Sequence, residues 1–227
     1  MISLVNTLPT LSLPHAEVIK INCNFNSYSD IAMFWVQNEG DAVISMLDGN
    51  MVIFNRDRKA DICELREFVN VISCNSVFSD SDTLNLLFGN DFHKVFVMQS
   101  NFNFESALKS DALGSREIYA LLDTDGLQPP PYEHFAVDFC HRLNHGYLKY
   151  FALKDTAVAV GISDGHSVLV NGIASHKKGA GSKALCGLLA QYNNTPAVAV
   201  CEEGVMPFYL KNNFNCGYTA GYWRKTP

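Results

Sequence analysis

Runs of apolar residues along the chain switch between a period of two and a period near 3.6, and the switches mark out elements. In the first half, Ala32-Met-Phe-Trp-Val-Gln37 is strand-like. Ala42-Val-Ile-Ser-Met-Leu47 and Met51-Val-Ile-Phe54 flank Asp48-Gly-Asn50, which predicts a hairpin. Residues 62, 65, 68, 69 and 72 are apolar, which predicts a helix from Ile62 to Ile72. Asn75 to Phe78 predicts a short strand. Ser81 to Phe88 predicts a short capped helix stopped at Gly89. Lys94 to Met98 predicts another strand.

The second half is more regular. Pro131 to Leu143 predicts a helix, with proline at its start, apolar positions at 135, 139 and 143, and Gly146 after its end. Tyr147 to Leu153 and Thr156 to Val160 predict strands joined at Lys154-Asp155. A third strand begins at His166 and reaches Val170 or a little beyond. A glycine-containing segment follows, then an apolar helix from Ser182 to Tyr192, broken by Asn193-Asn-Thr-Pro196. Ala197 to Cys201 predicts a short buried strand, Pro207 to Asn212 a short helix, and Gly217 to Trp223 a last strand. The order is helix, three antiparallel strands, helix, strand, helix, strand.

Between the halves lies Asp123-Thr-Asp-Gly-Leu-Gln-Pro-Pro-Pro131, where glycine and three prolines stop regular structure. Asp123, Asp125 and Gly126 look faintly like a calcium loop, but its later ligands are missing, so a turn is the better reading. We therefore expect two domains, residues 1–126 and 127–227. Both halves share a loose hairpin-then-helix pattern, which hints at duplication without establishing it.

Composition narrows the class. The chain has 227 residues, 48% hydrophobic and 18% charged, so it is neither disordered nor fibrous. No apolar run is long enough to span a membrane, and residues 1–20 do not read as a signal peptide. The seven cysteines form no Cys-x-x-Cys pair, so reduced, buried thiols in a cytoplasmic protein are expected. The net charge of −6 makes a general nucleic-acid binder unexpected. It hides an asymmetry: residues 1–128 hold 17 acids and 8 bases, residues 129–227 hold 6 acids and 9 bases. The second half could bind a discrete anion.

The residues best placed to do so are Ser175-His-Lys-Lys-Gly-Ala-Gly-Ser-Lys-Ala184, between a predicted strand and a predicted helix. Gly179 and Gly181 let the backbone turn tightly and approach a ligand. The free amides and positive dipole end of the helix point into the loop, and such a terminus binds phosphate. Lys177, Lys178 and Lys183 add positive charge. Two competing motifs fit less well. A Walker A loop needs Gly-Lys-Ser/Thr, but the order here is Gly181-Ser182-Lys183. Gly179, Gly181 and Ala184 do fit a dinucleotide fingerprint, yet the preceding strands look like hairpins rather than the start of a parallel unit. A loop that merely turns the chain stays open.

With its context, this segment resembles the Gcn5-related N-acetyltransferase (GNAT) superfamily and points to its FR47-like branch. The family's pyrophosphate loop is Gln/Arg-x-x-Gly-x-Gly/Ala. His176-Lys-Lys-Gly179-Ala-Gly181 matches it except that His176 replaces Gln or Arg. Pro207-Phe-Tyr-Leu-Lys-Asn-Asn-Phe214 is similar to the family's later Leu-Tyr-x-x-x-Gly-Phe, with Asn213 in place of glycine. The resemblance covers roughly residues 131–227. It implies an α/β (α+β) fold with a mixed, mainly antiparallel sheet flanked by helices. Residues 1–126 are then an α/β domain, with a degenerate copy of the same fold as the open alternative.

The resemblance also implies a site. Acetyl-CoA would enter where two neighbouring strands splay apart, one ending near Asn171–Ala174 and the other at Ala197–Cys201. Backbone groups of Ile173 and Ala174 would meet the pantetheine arm. His176, Lys177, Lys178, Gly179, Ala180, Gly181 and Ser182 would surround the pyrophosphate. Tyr209 matches the family's tyrosine acid, which protonates the departing thiolate; simple packing like that of Phe208 is the alternative. Glu202 is a candidate base, with CoA binding through water, a water chain or no dedicated base as alternatives. Cys201 reads as a buried thiol rather than a nucleophile. His141 and His145 share a helical face but lack the completing carboxylate, so no metal is expected.

The expected function is acetyl transfer from acetyl-CoA to an amine on a small molecule or a protein N-terminus. The acidic first half suits a cationic acceptor. A GNAT-shaped binding module that has kept or lost CoA is the alternative. Neither nucleic acid nor membrane is an expected partner, and a homodimer is left open.

Overall fold

The computed structural model describes residues 1–124, 126–127, 129–193 and 195–225. Asp125 and Gln128 of the proline-rich boundary, and Asn194 of the expected helix break, lie outside the described residues. The chain divides into two compact units, and the division falls elsewhere than residue 126. One unit comprises Met1–Met98, Val200–Met206 and Cys216–Pro227; the other comprises Gln99–Ala199 and Pro207–Asn215.

The first unit is built on strands β1 (Ile2–Leu4), β2 (Met33–Gln37), β3 (Ala42–Leu47), β4 (Asn50–Asn55), β5 (Ser76–Asp80) and β6 (His93–Ser100). Helices α1 (Ala16–Tyr28), α2 (Ile62–Ile72) and α3 (Ser81–Phe88) accompany them. The first four strands run antiparallel in sequence order, and β4 then pairs parallel with β5. The last strand of the chain, numbered β11 (Asn215–Arg224), follows β5 antiparallel and lies between β5 and β6. Parallel pairing of β4 and β5 needs a crossover, and α2 supplies it. The apolar stripe predicted for α2 is real: Leu65 and Val69 are buried against Trp35, Ile44 and Ile53.

The second unit holds α4 (Ser115–Leu122), α5 (Tyr132–Asn144), β7 (Leu148–Leu153), β8 (Ala157–Ser163), β9 (Val168–Ser175), α6 (Ala180–Ala190), β10 (Ala197–Cys201) and α7 (Met206–Lys211). Its sheet order is β10-β9-β8-β7. β7, β8 and β9 are antiparallel, and β9 pairs parallel with β10 across the α6 crossover. Helix α6 packs on β7, β8 and β9. It comes so close that a Cβ on Gly187 would lie 2.5 Å from the Phe151 ring. Ala157, Ala159, Ala180, Ala184 and Leu188 fill the layer beneath. These small side chains bring the start of α6 down onto the sheet, where the site lies. Both units are mainly antiparallel sheets flanked by helices, the architecture expected.

Candidate functional site

Strand β9 pairs with β10 only from Val168 to Val170, opposite Ala197 to Ala199. It continues to Ser175 along β8 on its other edge, with a register shift between Val160 and Gly161. Beyond Val170, therefore, β9 has one occupied edge and one edge without a described rung. The His176 amide donates to the Thr156 carbonyl on the β8 side, 2.8 Å. Main-chain groups alternate sides along a strand, so those of Ile173 and Ser175 point to the open edge and those of Ala174 to β8. Ile173 is half-buried and Ala174 buried.

The chain leaves β9 into the loop His176–Gly179. The Ser175 hydroxyl donates to the Lys177 carbonyl, 2.7 Å, and folds the loop back on the strand end. Gly179 sits at φ 81°, the left-handed region that side chains avoid, and a Cβ there would meet open space. Helix α6 starts at the next residue, two positions before the predicted start at Ser182. No side chain caps it. The Ala180 amide bonds the Lys177 carbonyl, 3.1 Å, while the following amides of the first turn have no side-chain acceptor among the described residues.

His176, Lys177, Lys178 and Lys183 are exposed around this end, and none of these lysines forms an ion pair among the described residues. Ala180 and Gly181 are buried and Ser182 half-buried. This is an electropositive helix terminus, fed by a strand with an open edge. Such a donor set fits an elongated ligand carrying a phosphate group.

Helix α7 stands beside it. The Phe208 ring lies 3.5 Å from where a Gly181 Cβ would be. Tyr209 is 3% exposed, its ring edge-on to Phe208 and Phe214 at 5.2 and 5.3 Å. Asn213 adopts φ 63°, in the left-handed region.

Glu202 belongs to the first unit. It is exposed, and its Oε1 meets His93 Nε2 at 2.6 Å. Nothing in the sequence signals this pair, which is 109 positions apart. Cys201 is 8% exposed, and burial pushes its thiol up to about 11. It is a thiol at neutral pH, consistent with packing rather than nucleophilic attack. The rings of His141 and His145 are 4.4 Å apart, and among the described residues no three His, Cys, Asp or Glu side chains gather as metal ligands. No helix among the described residues is long and apolar enough to cross a membrane.

No protein-family model matches the chain, and no curated protein matches its sequence. Solved structures match in fold. An acetyltransferase of the GNAT family from Colwellia psychrerythraea is 12% identical, covers 99% of this chain and 100% of its own, and superposes with a TM-score of 0.53. A tandem GNAT protein from the clavulanic acid biosynthesis pathway is 9% identical, covers 96% of this chain and 90% of its own, with a TM-score of 0.54. At such identities the likeness is one of architecture. The chain has the fold of GNAT acetyltransferases, and its glycine loop stands on a parallel strand-helix-strand crossover of that fold.

Proposed function

We propose that the chain is an N-acetyltransferase that passes an acetyl group from acetyl-CoA to an amine. One observation carries the reading: the open edge of β9 runs directly into an uncapped, lysine-flanked helix N-terminus. Main-chain groups of Ile173 and Ser175 would hydrogen-bond the amide-rich pantetheine arm. The first-turn amides of α6, with Lys177 and Lys178, would hold the pyrophosphate. The bound co-substrate supplies an activated thioester. Amine attack on its carbonyl forms the C–N bond and breaks the C–S bond, so one proton leaves nitrogen and one reaches sulfur. Tyr209 is our candidate donor to the thiolate. Glu202, or water, takes the proton from nitrogen. A small-molecule amine or a protein N-terminus is the acceptor class. We further propose that the unit carrying the glycine loop is of FR47-like type and that the other is a degenerate copy of the same fold, in a protein acting where cysteines stay reduced.

Calorimetric titration with acetyl-CoA, desulfo-CoA and ADP tests the reading. Micromolar binding that weakens in Lys177→Ala/Lys178→Ala supports it. No binding at millimolar ligand, from folded protein free of carried-over CoA, overturns it. A second reading is a CoA-binding module without catalysis, favoured by the near-complete burial of Tyr209 among aromatic rings. Tyr209→Phe separates the two: unchanged turnover of an identified amine removes the tyrosine from the mechanism.

A further inference from the structure

The first unit contains a cavity of about 660 Å³, within the range of small-molecule sites. It shares no residue with the glycine loop. Three rings line it: His15, Phe54 and Tyr218. His15 stacks on Tyr218 at 5.0 Å and meets Phe54 edge-on at 5.6 Å. Four carboxylates also line it: Glu17, Asp57, Asp80 and Asp82. Besides His15, Arg58 is the one basic side chain among the described lining residues, and it is paired with Asp82. Asp57 is paired with Lys59 at 3.6 Å. Among the described residues, neither Asp80 nor Glu17 forms an ion pair.

Glu17 is the anomaly. It is 1% exposed on α1, a helix otherwise buried through Val18, Ile19, Ile21 and Cys23. The Tyr218 hydroxyl donates to its Oε2, and the Ala16 amide donates to that hydroxyl, 3.0 Å. Its Oε1 has no hydrogen-bond partner among the described residues. An unpartnered buried carboxyl oxygen is costly unless something else satisfies it. Asp80 lies near enough to act on the Glu17 carboxyl. A divalent metal is a poor occupant, since no three ligating side chains gather there among the described residues. Rings beside carboxylates without an ion-pair partner suit an organic cation, which gains from both the ring faces and the charge.

We propose that this cavity binds a small organic ammonium ion, its nitrogen held by Asp80 and Glu17 and its apolar body against His15, Phe54 and Tyr218. This goes beyond the acetyltransferase reading and does not depend on it.

The test titrates the full chain with phenethylammonium at low salt and at pH 8, above the raised value of about 7 for Glu17, so that its carboxyl is ionised. Its neutral analogue 2-phenylethanol and the anion 3-phenylpropionate are controls. The ammonium binds, the alcohol binds at least about tenfold more weakly, and the anion does not bind. Asp80→Asn and Glu17→Gln each weaken the ammonium about tenfold or more. Asp80 caps α3, accepting from the Thr83 amide at 2.9 Å. Asparagine caps a helix as well as aspartate does, so Asp80→Asn keeps the start of α3 while removing the charge. NMR shift mapping on the unaltered protein localises the ligand without any variant, with the changes expected at His15 and Tyr218. Equal binding of the alcohol, wild-type affinity in both variants, shifts confined to other residues, or no binding at millimolar ammonium would each overturn the proposal. Titration with acetyl-CoA reads the other site separately, so the two readings can fail independently.

Discussion

Each unit contains one parallel strand pair crossed by one helix, and the two crossovers solve the same electrostatic problem in opposite ways. In both, three residue pairs join the strands: Asn50–Val52 with Ser76–Phe78, and Val168–Val170 with Ala197–Ala199. In both, the first strand outruns the pairing and a helix begins after a short loop. The helix start demands negative charge in each case. Helix α2 receives it from within: the Asp61 carboxylate accepts from the amides of Cys63 and Glu64 at 3.0 and 3.1 Å. Helix α6 has no such side chain and is ringed by lysines. The loops differ to match. One turns through Asp57 and Arg58 at φ 53° and 59°, the other through Gly179 at φ 81°. A fold that leaves an electropositive helix start open at one crossover can close the corresponding place at the other with a single aspartate. What remains beside the closed crossover is an acidic cavity.

The largest effect we expect tests that acidity. Burial is the main force pushing the Glu17 carboxyl from 4.5 to about 7, with Asp80 adding to it and the Tyr218 hydroxyl and Lys20 opposing. His15, whose own value burial lowers, also lines the cavity but carries little charge at neutral pH. Between pH 4.5 and about 7 the folded protein holds a proton on Glu17 that the unfolded chain has released. The contribution of Glu17 to stability is therefore fully present below about pH 4.5 and is lost as pH rises through about 7, by about 3 kcal/mol. Denaturant unfolding from pH 5 to 8 should show the slope, and Glu17→Gln should flatten it. An unchanged slope would mean that Glu17 is ionised in the folded protein.

The next effect sharpens the basic side. Lys177→Ala/Lys178→Ala should weaken CoA about tenfold or more while leaving ADP-independent stability unchanged, because both side chains are exposed. Asp61→Ala should cost about 1 kcal/mol of stability, the usual loss of an N-cap, with no change in CoA affinity. If Asp61→Ala altered CoA affinity, the two crossovers would not be the independent devices described here. The smallest effect concerns Glu202. Its pair with His93 is exposed on both sides, so His93→Ala should change stability by less than about 0.5 kcal/mol. A larger loss of turnover than of stability would support a role for Glu202 in proton transfer.

Much of this was legible in the residues. The helix Ile62–Ile72 has the predicted bounds, because its apolar stripe is clean and Asp61 and the left-handed Ser73 punctuate it. The strands of both hairpins were readable for the same reason. Helix α1 was not foreseen. Its Asn22, Asn24 and Asn26 and its Glu17 interrupt any stripe, and its burial reaches well beyond one face. Strand β1 is too short to show a period, and α4 has only Ile118, Leu121 and Leu122 to reveal it. The glycine loop could be found because glycine and lysine at those positions have few other uses. The acidic cavity could not, since its walls come from segments around residues 15, 55, 80 and 218 that only the fold assembles. A lone glutamate beside Val18 and Ile19 was the one available clue.

Strand β11 has a consequence for how the protein is made. Residues 220–224 pair with residues 76–80 of β5, and β1 to β6, the earlier strands on which the first unit is built, end by residue 100. A ribosome delivers the early strands long before it delivers their last neighbour. During that interval the edge of β5 offers unpaired main-chain groups to any passing extended chain. The first unit is thus completed only after residues 215–224 have been made, long after its other strands, and it needs shelter from aggregation until then.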